Sequence, residues 1–163
     1  MVSELGATVR AEGAQEALFA YWSSLGRPDS LPSRADLCPV QMKSFLPMLS
    51  LTEVQPGGRF RFRLAGTGLF GLYGTEVTGR MLSEVYVGSA ADYWRRELEV
   101  LVSDRRPAIG VHSLGWRGAP HLSVLWMRLP LASNGADVDM ILGYDSLLGA
   151  DRMASRMTGI RAA

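Results

Sequence analysis

Few residues in this chain are of types that do chemistry, and their spacing decides what each can support. Gly66-Thr67-Gly68-Leu69-Phe70-Gly71 spells G-x-G-x-x-G directly after a strand-like run, the pattern of a loop that cradles a pyrophosphate. That chemistry needs an approach strand buried on both faces, a crossover helix opening at the last glycine, and an acid about 20 residues on for the ribose. Here the approach alternates Arg59, Arg61 and Arg63 with Phe60, Phe62 and Leu64, which describes a sheet with one packed face. Gly74, Thr75, Thr78 and Gly79 then leave no room for a crossover helix, although Glu84 stands at a tolerable distance for the acid. The glycines are expected to turn a strand sharply into short helices, and no dinucleotide is expected to bind.

The remaining candidates are sparse. G-x-S-x-G, H-E-x-x-H and a cysteine–histidine arrangement are all missing, so no catalytic residues are assigned. His112, His121 and the lone Cys38 do not have zinc-ligand spacing, and Asp137-Val138-Asp139 after Asn134-Gly135 suits a hairpin edge better than a calcium loop, so no metal is expected. The RFRFR run interleaves bases with aromatics as a nucleic-acid platform would. Its period of two, however, puts the arginines and phenylalanines on opposite faces, and no nucleic-acid partner is expected.

Composition bounds the class. The chain's 163 residues, 47% of them hydrophobic, suit one domain with a core that needs no disulfide or metal. Seventeen basic and sixteen acidic side chains, net charge +1, give no field that would gather nucleic acid or anionic lipid. A single cysteine, no signal-peptide pattern and no apolar run of about 20 residues lead to the expectation of a cytoplasmic protein without a membrane partner.

The elements that must position any site follow from periodicity. Ala14, Leu18, Tyr21, Trp22 and Leu25 make a helical stripe that stops at Gly26-Arg27-Pro28. Residues 28 to 46 read as a packed linker with a short helix after Asp36. LSLTEV and RFRFRLA flank Gln55-Pro56-Gly57-Gly58 as a hairpin, and short helical turns follow the glycine loop. Ser89 and Asp92 form a capping box for the longest helix, striped by Trp94, Leu98, Leu101 and Val102 and ending before Pro107. Three strands then run through IGVHSLGW, HLSVLWMRLPL and VDMILGY, and the tail from Leu147 is weakly helical. The fold class is α+β, a five-stranded antiparallel sheet with helices on one face and an N-terminal helical cap. The divisions are a cap and linker over 1–46, a core over 47–146 and a tail over 147–163.

This order, with Leu31-Pro32-Ser33-Arg34-Ala35-Asp36 and Pro39, Phe62-Arg63-Leu64-Ala65-Gly66-Thr67, Gly74 followed by Thr78-Gly79-Arg80, and Leu129-Pro130-Leu131, resembles the PAS sensor fold and within it a family of small bacterial PAS-like proteins. The resemblance implies a sensory, ligand-binding or protein-interaction module of bacterial signalling, with no output domain attached and no enzymatic activity. It also implies a partner signalling protein and homodimerisation through the N-terminal cap. PAS domains carry haem, flavin, small acids, fatty acids or nothing. A photoactive flavin type would place its cysteine after the first hairpin, whereas Cys38 precedes the sheet, and haem types offer a histidine on the long helix, which has none over 89–104. No cofactor is therefore expected.

Alternation assigns Phe60, Phe62 and Leu64 to the helix-covered side, with Leu125, Met127 and Leu129 joining them. Leu69, Phe70, Tyr73, Trp94 and Leu98 lie above, and together these residues could line a cavity for an uncoloured, largely apolar small molecule, oriented by Arg63, Tyr73 and His121. The opposite face would expose Leu122, Val124, Trp126 and Ile141 beside Arg61 and Arg128, and is expected to self-associate together with the first helix. The alternative reading is a small enzyme or carrier acting on an apolar molecule.

Overall fold

A computed structural model describes residues 13–148; residues 1–12 and 149–163, which include nearly all of the expected C-terminal helical tail, lie outside the described residues. Five antiparallel strands form one sheet in the order β2-β1-β5-β4-β3. They are β1 (Leu49–Gln55), β2 (Arg59–Ala65), β3 (Ala108–Leu114), β4 (Ala119–Leu131) and β5 (Met140–Leu147). Helices α2 (Leu69–Tyr73), α3 (Leu82–Val85) and α4 (Ser89–Asp104) pack on one face, called here the inner face. Helix α1 (Gly13–Leu25) and the linker pack on the other. The expected α+β sheet with its helical cap is the fold observed.

Each face has its own core. Phe60, Phe62, Val124, Trp126 and Ile141 meet Leu69, Tyr86, Trp94 and Leu98 on the inner face. On the outer face Leu51, Met127, Leu129 and Leu142 meet Leu18 of α1 and Met42 of the linker. Each fully buried aliphatic side chain contributes roughly 1.5–3 kcal/mol, so a sheet buried on both sides has two independent sources of stability. Helix α1 is also held by hydrogen bonds: the buried Gln15 donates through Nε2 to the Leu125 carbonyl (3.0 Å) and Trp22 through Nε1 to the Pro130 carbonyl (3.0 Å).

The strand faces correct two expectations. In β4, Val124, Trp126 and Arg128 point to the inner face, and Leu125, Met127 and Leu129 point outward beneath α1, the reverse of the alternation reading. The segment VLWMRLPL is buried throughout, so its hydrophobicity has no period from which to choose a face. In β2 the register shifts, so that Thr52 pairs Phe62 but Leu51 pairs Leu64, leaving Arg63 as an extra residue. This β-bulge turns Leu64 to the outer face, where it is 42% exposed. The patch expected to be exposed is thus largely interior: Val124, Trp126, Ile141 and Arg128 are all buried.

Local signals were met unevenly. The hairpin turn has Gly57 and Gly58 at positive φ (80° and 70°), as its glycines require. Helix α4 begins at Ser89, its expected cap: the N-cap is instead Gly88 and no side chain caps the helix, while Asp92 pairs with Arg95 (3.2 Å) in solvent. In the linker one short 3-10 turn covers Arg34–Asp36, and a second, Leu46–Met48, follows at the linker's end. The β2 edge is covered by Gly79–Met81, with Phe62 N–H donating to the Arg80 carbonyl (2.9 Å) and Gly79 N–H to the Phe62 carbonyl (2.6 Å). An edge strand covered this way offers no template for pairing with another chain.

Candidate functional site

The polar centre of the molecule lies on the inner face of the β4–β5 pair. Trp126 pairs with Asp145 and Arg128 with Gly143, so Arg128 and Asp145 are diagonal neighbours on one face. The Arg128 guanidinium donates from Nη1 to Asp145 Oδ1 (2.9 Å) and from Nη2 to Oδ2 (3.1 Å), with both side chains at most 4% exposed. This two-point contact matches planar guanidinium to planar carboxylate, the geometry a buried pair needs to offset desolvation. Nη1 also donates to the Met127 carbonyl (2.9 Å).

Aromatic side chains from the helices close over the pair. The Trp94 ring of α4 lies 4.8 Å from the Arg128 guanidinium carbon and that of Trp126 lies 5.9 Å away, a cation–π arrangement in a dry setting. Tyr73 of α2 donates its hydroxyl to Asp145 Oδ2 (3.3 Å), and Tyr86 donates to the Tyr73 oxygen (2.9 Å). Trp116 packs edge-on against Tyr86 at 4.8 Å, and Tyr93 stacks on His112 at 4.3 Å while accepting the Trp126 indole N–H (3.0 Å). Two glycines make room: a Cβ at Gly110 would meet Trp126 Cζ2 at 2.5 Å, and one at Gly143 would meet Arg128 Nη1 at 3.1 Å. The space left among Tyr73, Tyr86, Trp94, His112, Trp116 and Asp145 is about 10 Å³, room for about one water molecule.

Burial sets the protonation of these groups. It would lower the Arg128 pKa, but the charge of Asp145 and the neighbouring phenols outweigh it and the net shift is upward. The Tyr73 and Tyr86 phenols are pushed up by burial first, then by Asp145 for Tyr73 and by Tyr73 for Tyr86. Burial likewise lifts Tyr93 to about 12 and lowers the pKa of His112. Folded phenols therefore hold their protons at pH values where unfolded ones, titrating near 10, have lost them. Their contribution to stability is complete below pH 10 and declines as pH rises above it. Tyr86→Phe, which removes one such phenol, is expected to make the alkaline fall in stability shallower than in wild type, as measured by urea unfolding from pH 9 to 11. Identical slopes would show that Tyr86 ionises as freely in the fold as in the unfolded chain.

The expected site residues scatter around this centre. Phe62, Leu69, Tyr73, Trp94 and Leu98 are together in the inner core. Leu125 and Met127 are buried on the far side of the sheet, Leu64 faces outward through the bulge, and Arg63, Phe70 and His121 are exposed, Phe70 at 57%. The periodicity reading missed Arg128, Asp145, Tyr86, Trp116 and Trp126. One signal was available: Arg128 is the only charge in the apolar run 124–131, and a buried arginine requires a counterion.

A flavin or haem does not fit the inner site. Its space is that of one water, its walls are interlocked aromatic rings, and Cys38 lies across the sheet, where its N–H donates to the Tyr21 hydroxyl (2.8 Å). No carboxylate there is free to act as an acid or base, because Asp145 is engaged by Arg128 and Tyr73. No group of three or more metal-ligating side chains occurs among the described residues, and no helix there is long and apolar enough to cross a membrane.

Comparison with known proteins places this architecture. The structure is similar to the RsLOV d2 variant (15% identity, 83% of this chain and 69% of that one, TM-score 0.49). It is also similar to the light state of the blue-light photoreceptor Aureochrome1 LOV (12% identity, 77% and 98%, TM-score 0.47). A third similar structure is the PAS domain of a protein from Colwellia psychrerythraea (17% identity, 66% and 92%, TM-score 0.44). No curated protein matches the chain in sequence. The family model of the PAS domain matches residues 10–145, which take in β1 to β4 and all but the last two residues of β5, and the chain therefore belongs to the PAS domain family, whose members are sensory modules.

Proposed function

We propose that this PAS domain is a cytoplasmic sensory and protein-interaction module of bacterial signalling, acting as a homodimer through α1 and without catalysis of its own. The observation that carries this reading is the solvent side of α1. Phe19 is 43% exposed and stacked on Trp22 with ring centroids 6.0 Å apart, and exposed Ala20 and Ser23 beside it would allow a second helix to approach closely. The adjoining face of the same helix, one turn away from Phe19 in each direction, is fixed to β4 through Gln15 and Trp22. Strand β4 thus holds Trp126 and Arg128 of the inner site on one face and bears α1 on the other, so a change in inner-site packing reaches the helix across a single strand. A two-fold pair of such helices is the simplest closed assembly.

Sedimentation equilibrium tests the reading. Wild type is expected to be a dimer at micromolar concentration, and Phe19→Glu a monomer with an unchanged circular dichroism spectrum. Deleting the helix would be a poorer test, because it uncovers Met127 and Leu129. A wild-type chain that sediments as a monomer at high micromolar concentration would refute the proposal.

A further inference from the structure

An open space lies on the outer face, on the other side of the sheet from the ion pair. It is a groove of about 660 Å³, within the usual 300–1,000 Å³ of small-molecule sites. Leu51, Leu64 and Leu142 form the sheet-side wall, and Leu37, Met42 and Leu46 of the linker form the other. Met42 is only 5% exposed and shares a core cluster with Leu51 and Leu142, so the two walls touch there. Walls that meet at Met42 suit a single aliphatic chain better than a helix about 10 Å across.

The chemistry of the walls narrows the occupant further. They contain leucine, methionine and proline and no aromatic side chain, so nothing is present on which a flat ring would stack. Leu64 and Leu46, 42% and 38% exposed, leave apolar surface in water that an aliphatic chain would cover. Arg34 lines the same groove and has no ion-pair partner among the described residues. The acid in the lining, Asp139, is already engaged, accepting the Ser133 N–H at 3.2 and 3.3 Å. The β2 bulge contributes to the site, because without the extra residue Leu64 would point into the inner core and be lost from the sheet-side wall.

We propose that this groove binds a long-chain carboxylate, with its aliphatic chain between the linker and the sheet and its carboxylate at Arg34. The proposal does not depend on dimerisation through α1, so either can fail alone.

The test is isothermal titration of the full chain with laurate, with dodecanol as the uncharged analogue. Laurate is expected to saturate at one per chain. Dodecanol with wild type, and laurate with Arg34→Gln, are each expected to bind about tenfold more weakly, the loss of one charge-assisted contact. Leu64→Arg on the sheet wall and Leu46→Arg on the linker wall replace exposed side chains, should keep the circular dichroism spectrum, and are each expected to abolish binding. No saturable heat with laurate, or laurate binding unaffected by both wall variants, would overturn the proposal. So would dodecanol binding as tightly as laurate, or association only with phosphatidylglycerol vesicles and not with monomeric laurate.

Discussion

Asp145→Asn is expected to destabilise the fold by about 3–5 kcal/mol, the cost of leaving a buried charge without its partner. The substitution keeps the shape of the side chain and an acceptor for Tyr73, but it leaves the Arg128 guanidinium, 4% exposed, with no counterion. For a domain of this size that corresponds to a fall in melting temperature of about 10–15 °C. Arg128→Met is expected to cost a similar amount, since it strands the carboxylate and removes the cation from the Trp94 ring. The double variant Arg128→Met/Asp145→Leu removes both charges and is expected to be more stable than either single one. The coupling between the positions should be at least about 2 kcal/mol, because they touch and share a network. Urea unfolding of the four proteins measures it. A single-variant cost below about 1 kcal/mol would show that water reaches the pair and that the aromatic lid does not seal the site.

That pair also marks the limit of what the sequence makes legible. The hairpin, the long helix and the three-strand meander follow from local periodicity and turn residues, and the structure has them near the expected bounds. Face assignment in β4 depends on something else. Its residues from Val124 to Leu131 are buried on both sides, so alternation carries no information, and the reading placed Arg128 in solvent. The bulge at Arg63 is a property of the pairing between β1 and β2 and leaves no mark within β2 alone. Once β4 is inverted and Leu64 flipped, five of the eleven expected lining residues remain in the inner core, all on elements whose faces were unambiguous. The tyrosine and tryptophan lid comes from four separate segments, around Tyr73, Tyr86, Trp94 and Trp116, which only the tertiary fold brings together.

The glycine loop lends itself to a more discriminating experiment, because its three glycines face different surroundings. A Cβ at Gly66 would fall on the backbone carbonyl oxygens of Leu46 and Pro47, which cannot rotate away as a side chain can. At Gly68 it would meet the Met48 sulfur at 2.5 Å, the far end of a flexible side chain, and the Pro47 oxygen at 2.9 Å; at Gly71 it would meet nothing within 4 Å. The close approach is fixed by hydrogen bonds from Gly66 N–H to the Leu49 carbonyl (2.7 Å) and from Gly68 N–H to the Pro47 carbonyl (2.8 Å). These bonds tie the end of β2 to the chain entering β1. Gly66→Ala is therefore expected to cost about 3 kcal/mol or more, at the upper end for an overpacked site, because backbone must move. Gly68→Ala should cost less, and Gly71→Ala, inside α2, should be neutral or stabilising by up to about 1 kcal/mol. A loop built to cradle a pyrophosphate would predict a different pattern, with Gly71→Ala costly because the third glycine packs the helix on the strand, and a saturable heat with NAD, NADP or FAD in wild type. Urea denaturation and calorimetric titration separate the two accounts, and a Gly66→Ala protein within 0.5 kcal/mol of wild type would contradict the packing role assigned to that position.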